Sequence, residues 1–360
     1  MIRLLIVDDS ALMRRLISGV FADLGDFELA VARDGVEALE KLQSFQPHVV
    51  TLDIHMPQMD GLACLDRIMV ERPCPVIMVS SLTEAGATAT LEAMQLGAID
   101  FIAKPEGAIS LAMNEFAPPL IDKVRAAAKA RLRPTLRLAE RVKLRLKAGG
   151  LEKPAPPMKA FAGPVSGRGP LDGVVIVGSS TGGPPALDAL LSPLPKDFPW
   201  PILIAQHMPS SFTGALARRL DKLCALDVAE VTQPMPLTVG CVYVGKGDAD
   251  IIVASRAGRI VVTAAPASAE HRWHPSVDRL VTTAMQHLGA PRLIGVLMTG
   301  MGDDGAAAMT KLSAAGGRTI AEAEETAVVW GMPGELVRAG GAQVVAPLGD
   351  IARQLLEWAA

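Results

Sequence analysis

Short runs of Val, Ile and Leu punctuate the chain at regular intervals, and between them apolar residues recur at helical spacing. LLIV near Leu4, LAV around Leu29, VVTL at Val49, VIMV at Val76 and FIA at Phe101 form a first series that ends near Arg131. Such runs are the signature of strands buried on both faces, and strands alternating with helices predict a parallel, doubly wound sheet. A second series begins at VVIVG near Val174 and continues through ILIAQ at Ile202, VYVG at Val242, IIVA, IVV, IGVLMTG at Ile294 and AQVVA near Ala342. Within it, IIVASRAGRIVV predicts an antiparallel hairpin turning at Ala257-Gly258. The fold class expected is α/β, with two doubly wound parallel-sheet domains, the second carrying the hairpin.

The domains are expected over residues 1–131 and 171–360, joined by a linker over 132–170. That linker starts basic and roughly amphipathic, with Leu132, Leu136, Ala139 and Leu146 near helical spacing, and then becomes rich in Pro, Gly and Ala. No aromatic residues interleave the basic ones, which favours a solvated helical connector over a nucleic-acid arm. A chain of 360 residues is long enough for two cores, and a formal net charge of −3 gives no global attraction to nucleic acid or acidic membranes. No apolar run reaches spanning length without charge, Gly or Pro, and MIRLLIVDDS turns acidic too early for a signal peptide, so a cytoplasmic protein without membrane insertion is expected. Cys64, Cys74, Cys224 and Cys241 lie far apart with no metal-ligand spacing and are read as reduced structural thiols.

The first series carries polar residues at the carboxyl ends of its strands, the edge where open α/β sheets bind ligands. Asp8 and Asp9 follow the first strand, Asp53 the third, Ser80 the fourth, and Lys104-Pro105 the fifth. Clustered carboxylates repel one another unless a hard cation joins them, and oxygen-only ligands suit Mg²⁺. Lys104 can meet a phosphoryl oxygen, and Ser80 can hydrogen-bond another. His48 and His55 have no evident side-chain partners and read as structural.

In the second series, Gly178-Ser179-Ser180-Thr181-Gly182 fits Gly-x-Ser-x-Gly, a strand-to-helix turn that exposes the middle hydroxyl. Ser180 is the candidate nucleophile, and it needs a base and an orienting acid from other strand ends. ILIAQHMP supplies His207, and TGMGDDGA supplies Asp303 and Asp304. A glycine-rich turn also binds phosphate, but the spacing is not Gly-x-Gly-x-x-Gly. The order Ser, His, acid also differs from the Ser, acid, His order of α/β-hydrolases.

VDDSALMR, LDIHMPQMDG, VSSLT and DFIAKP, in that order, resemble the receiver domain of two-component response regulators. GSSTGG, QHMP and TGMGDDGA resemble the catalytic domain of the chemotaxis response-regulator protein-glutamate methylesterases, the CheB family. The resemblance implies a flavodoxin-like receiver and a Rossmann-like methylesterase domain. In the receiver it implies Asp53 as phosphoacceptor from a histidine kinase. Asp8, Asp9, Asp53 and the His55 carbonyl would serve Mg²⁺, with Ser80, Phe101 and Lys104 as switch residues. In the esterase it implies Ser180 as nucleophile, His207 as base and acid, and Asp304 as its orienting partner. The N–H groups of His207 and Met301 would form the oxyanion hole, supported by Thr181, and Asp303 would be a spectator. It further implies phosphorylation-regulated hydrolysis of glutamate γ-methyl esters, with deamidation of glutamines, on chemoreceptor proteins, by a monomer whose esterase needs no cofactor. The alternative is a phosphorylation-dependent adaptor without catalysis. Departures occur at Gly245, Lys246 and Ala249, and in HRWHPSVD with His271, Trp273 and His274, the latter near the region that resembles the family's substrate-facing loop. His274 and His287 read as surface or helix residues.

Overall fold

The computed structural model describes residues 1–105, 109–130 and 171–360, and the predicted connector with Leu132, Leu136, Ala139 and Leu146 lies outside the described residues. The chain divides into two compact units, Met1–Ala155 and Pro156–Ala360.

In the first unit the strands are β1 (Ile2–Val7), β2 (Phe27–Ala32), β3 (Val49–Asp53), β4 (Val76–Ser80) and β5 (Asp100–Ala103). They form one parallel sheet in the order β2-β1-β3-β4-β5. Helices α1 (Ala11–Ala22), α2 (Gly35–Ser44), α3 (Gly61–Glu71), α4 (Glu84–Leu96) and α5 (Ile109–Lys129) connect and flank them. Every residue of β3 and β4 is buried, as continuous apolar runs predict. Side chains start the first four helices: Ser10, Asp34, Asp60 and Thr83 accept from the N–H groups of Met13, Glu37, Ala63 and Gly86. Each such cap is worth about 1 kcal/mol and fixes where the preceding loop ends.

The second unit is built on a seven-stranded sheet, parallel throughout. Its strands are β6 (Val174–Ser179), β7 (Ile202–Gln206), β8 (Asp227–Val231), β10 (Cys241–Gly245), β13 (Leu293–Leu297), β14 (Arg318–Glu322) and β15 (Val344–Ala346). Their order is β15-β14-β13-β6-β7-β10-β8. A separate antiparallel sheet, β11-β12-β9, joins β11 (Ala249–Arg256) and β12 (Arg259–Pro266) to the two-residue β9 (Met235–Pro236). The expected hairpin is present: Arg256 pairs with Arg259 across Ala257 and Gly258, whose φ values of 48° and 74° give the left-handed pair of a type I′ turn. Strands β8, β9 and β14 were not expected. In β8 and β14 Asp, Glu, Arg and Thr interrupt the apolar run, and β9 is too short to carry a pattern.

Helices α6 (Gly183–Leu191), α7 (Ser210–Leu223), α8 (Val277–Leu288), α9 (Ala306–Ala314), α10 (Met332–Arg338) and α11 (Leu348–Ala359) cover the large sheet. Strand β6 lies at its centre with all six residues buried. Burying a Val or Ile side chain stabilises by about 1.5–3 kcal/mol, so this strand is a firm platform for whatever follows it. No helix among the described residues is long and apolar enough to cross a membrane.

Candidate active site

In the first unit the carboxyl ends of β1, β3 and β5 bring Asp8, Asp53 and Lys104 together. Lys104 Nζ lies 3.0 Å from Asp8 Oδ2 and 2.9 Å from Asp53 Oδ2. Carboxylate oxygens of Asp8, Asp9 and Asp53 all lie within 4.8 Å of one another, an oxygen-only donor set that fits a hard divalent cation such as Mg²⁺. Burial, reinforced by the charge of Asp53, holds the Asp8 carboxyl above the usual range even though Lys104 opposes this. Burial disfavours the ammonium of Lys104, but its bonds to Asp53 and Asp8 outweigh that and raise it. Ser80, at the end of β4, donates to the Gly86 carbonyl in α4 at 3.3 Å, and Phe101 is buried in β5. The His55 N–H lies 3.4 Å from Asp53 Oδ1. His48 Nδ1 accepts from the Arg3 N–H, a structural role.

In the second unit three neighbouring strands, β13, β6 and β7, end at one place. After β6 the chain turns through Ser180 and Thr181 into α6, using Gly182 at φ 78°; a Cβ there would stand 2.8 Å from the Val328 Cβ. Ser180 is held by its backbone, its N–H donating to the Thr299 carbonyl and its carbonyl accepting from Gln206 Nε2, both at 3.0 Å. Ser179 is fully buried, and its hydroxyl donates to Gln206 Oε1 at 2.7 Å. Gln206 thus ties both serines to the end of β7, where its Nε2 also donates to the His207 carbonyl.

His207 Nε2 lies 2.8 Å from Asp304 Oδ2. His207 Nδ1 is buried without a hydrogen-bond partner among the described residues. An imidazole that donates from Nε2 to the carboxylate presents Nδ1 as its lone-pair acceptor, the reverse of the nitrogen assignment in chymotrypsin-type triads. Asp304 is buried and Asp303 exposed. Asp304 also accepts from the Ser276 hydroxyl and from the N–H groups of Val277 and Asp278, the first turn of α8. Burial opposes its ionisation, but the bonds from His207 and from these N–H groups prevail and hold it below the usual carboxylate range.

One expectation needs correction. The His207 N–H donates to the Ser179 carbonyl at 3.1 Å, extending the β6–β7 ladder, so it is not the free oxyanion donor that the resemblance implied. The loop carrying Met301 is held instead from several sides. Thr299 N–H donates to Glu322 Oε2 at 2.8 Å, Thr299 Oγ1 donates to the Thr181 carbonyl at 2.9 Å, and Gly300 bridges to Trp330. Glu322, buried at the end of β14, is pushed up to about 6 by burial. A Cβ on Gly300 would stand 2.9 Å from the Ser180 Cβ and would press on Met332 Sδ. Gly300→Ala is therefore expected to displace Ser180 and lower kcat by roughly 10²-fold with the protein still folded, measured as turnover alongside circular dichroism.

Sequence reasoning missed Gln206, Thr299, Glu322 and Asp250, all buried polar residues next to strand ends. His274, read as a surface or helix residue, is partly exposed in the loop before α8, and its side chain is also anchored: Nδ1 lies 2.8 Å from Asp250 Oδ1, which also accepts from the Ser276 N–H, while Asp250 Oδ2 accepts from Arg279. His287 is exposed on α8, as expected. A polar residue bordering an apolar run was the one available signal for Asp250, ahead of IIVA, and for Gln206, after ILIA.

The CheB methylesterase family profile matches residues 175–355, and the response regulator receiver domain profile matches residues 4–113. Over 359 residues the chain is 56% identical to the protein-glutamate methylesterase/protein-glutamine glutaminase 2 of Rhodopseudomonas palustris (strain BisB18), covering 99% of this chain and 98% of that protein. It is 52% identical over 359 residues to the protein-glutamate methylesterase/protein-glutamine glutaminase 3 of Rhodospirillum rubrum, covering 99% and 96%. The crystal structure of the Thermotoga maritima CheB methylesterase catalytic domain aligns with a TM-score of 0.50 at 37% identity, over 52% of this chain and 98% of that one.

Proposed function

The chain belongs to the receiver-bearing CheB methylesterase family, and from that premise we propose that Ser180, His207 and Asp304 carry its hydrolytic reaction and that Asp53 controls it. The reaction is hydrolysis of glutamate γ-methyl esters, and deamidation of glutamines, on chemoreceptor proteins. The observation that carries the residue assignment is the His207–Asp304 pair at 2.8 Å with Nδ1 left open at the strand end beside Ser180.

Ser180 Oγ attacks the ester carbonyl while His207 Nδ1 takes its proton. Negative charge develops on the carbonyl oxygen, and the Met301 N–H is the donor that meets it, on a loop supported through Thr299 and Thr181. The intermediate collapses with protonation of the methoxy group by His207, releasing methanol and leaving an acyl-serine. Water, deprotonated by the same imidazole, then frees the glutamate carboxylate and restores Ser180. With glutamine the leaving group is ammonia. Three side chains suffice for these steps, so no cofactor is assigned to the esterase. No observation favours a non-catalytic adaptor.

In the receiver, Asp8, Asp9, Asp53 and the His55 carbonyl would hold Mg²⁺, which offsets the charge of an incoming phosphoryl group. Lys104 meets the phosphoryl oxygens of phospho-Asp53. Ser80 leaves the Gly86 carbonyl for the phosphoryl group, and Phe101 repacks in the space released. The phosphodonor is a histidine kinase, and the working form is a cytoplasmic monomer that meets receptors without inserting into the membrane.

The test is methanol release from methylated receptor membranes with and without a phosphodonor. Wild type is expected to accelerate about tenfold, which needs a population bias of about 1.4 kcal/mol. Asp53→Asn is expected to keep its unstimulated rate and lose the acceleration. Stimulation that survives in Asp53→Asn would remove Asp53 as the control point.

A further inference from the structure

Between β12 and α8 the chain carries Trp273, which none of the steps above uses. Its indole is stacked on the His207 ring, with centroids 5.6 Å apart and planes 14° from parallel. That separation is within the range of offset aromatic stacking and within the reach of about 6 Å at which a ring face attracts a cation. The indole is half-buried and so is not a core residue. Its place is fixed from both sides along the chain. The Arg272 guanidinium lies 4.7 Å from the ring centroid, and His274 is pinned by the fully buried Asp250. Across the site Gly302 leaves room for it: a Cβ there would stand 3.3 Å from the indole Nε1.

We propose that Trp273 is a positioning residue of the esterase reaction, whose indole holds the His207 ring in plane and favours the imidazolium that forms when Ser180 gives up its proton. Asp304 fixes one atom of the ring, Nε2. One hydrogen bond leaves the imidazole free to tilt about that contact, and a stacked face removes this freedom. The same face lies against the ring when it carries a full charge, in a site where His207 is nearly dry, so the attraction is greatest in the transition state. The proposal rests on His207 being the base.

Charged groups also border the outer side of Trp273. Asp304 and Asp303 come from the loop before α9, Asp278 from α8, Glu335 from α10, and Glu270, His271 and Arg272 from the Trp273 loop; together they line a cleft of about 370 Å³. The pH readout must therefore be taken against variants of the ring itself.

The experiment uses the full chain with Trp273→Leu, Trp273→Phe and His207→Gln, following methanol release from methylated receptor membranes across pH. Trp273→Leu is expected to lower kcat about tenfold, the equivalent of about 1.4 kcal/mol, with KM within about twofold of wild type. Its acid limb should move to lower pH, because a ring no longer favoured in its charged form loses its proton sooner. Trp273→Phe, which keeps an aromatic face, should recover most of kcat. A second readout needs no turnover: indole emission should fall as His207 gains its proton, and this pH-dependent component should vanish in both Trp273→Phe and His207→Gln. A rise in KM at constant kcat would make the indole a substrate platform and overturn the proposal. So would an unmoved acid limb, or an emission change that persists in His207→Gln, which assigns the quenching to His271. Full activity in His207→Gln would overturn the choice of base, and the proposal with it.

Discussion

Ser180→Ala should abolish methanol release, with kcat falling on the order of 10⁴–10⁶-fold while the protein stays folded. The reason for expecting an intact fold is local. Ser180 is tied to Thr299 and Gln206 through its backbone, and alanine keeps both bonds. Ser179→Ala is the contrasting case. Its hydroxyl is buried against Gln206 Oε1, so its loss leaves a buried amide oxygen short of a donor and should cost about 1–3 kcal/mol of stability while most turnover survives. The pair is read by turnover and thermal unfolding together. Turnover that survives in Ser180→Ala would send the search for a nucleophile elsewhere in the turn.

Asp304→Asn should lower kcat by roughly 10²–10⁴-fold, because an amide nitrogen facing His207 Nε2 favours the tautomer that puts the proton on Nδ1, where Ser180 needs a lone pair. It should also destabilise the protein. The carboxylate accepts from His207, the Ser276 hydroxyl and the N–H groups of Val277 and Asp278. An amide has one oxygen for these donors and brings two donors of its own, so a loss of about 1–3 kcal/mol is expected. There is a pH signature as well. Asp304 is held below the usual carboxylate range, so its ionisation stabilises the folded state above the value it has in the unfolded chain, and that contribution is lost as pH falls through the lowered value. The asparagine variant should show a shallower acid decline in unfolding midpoint than wild type. Asp303→Asn, exposed to solvent, should change neither quantity; if it is the damaging variant, the acid has been assigned one residue late.

Much of this site was legible because its members stand at places that sequence marks well. Ser180, His207 and Asp304 each follow a continuous apolar run, and such runs become the adjacent buried strands β6, β7 and β13. Asp8, Asp53, Ser80 and Lys104 stand at or just after strand ends in the same way, and the hairpin turn at Ala257-Gly258 was marked by its glycine. What stayed hidden depends on contacts between distant segments. Nothing in QHMP tells which imidazole nitrogen meets the acid, or that the backbone N–H of His207 is consumed by Ser179. Asp250 and Glu322 look like interruptions of strand pattern, and only the folded chain reveals that one anchors His274 and the other holds Thr299. Trp273 was noticed as a departure in its loop, but stacking on a ring 66 positions earlier has no sequence signal.

The double duty of Asp304 bears on how this protein's descendants can drift. A lineage that abandoned ester cleavage would still be selected to keep an acceptor for the first turn of α8, so Asp304 would outlive the chemistry proposed for it. Among the described residues Ser180 is tied into the architecture through its main chain, and its side chain would be released to vary once the reaction was no longer needed. Under the proposed assignment, the residue at the Ser180 position is therefore the sensitive marker of a working enzyme among related chains, and the acid is a marker of the fold.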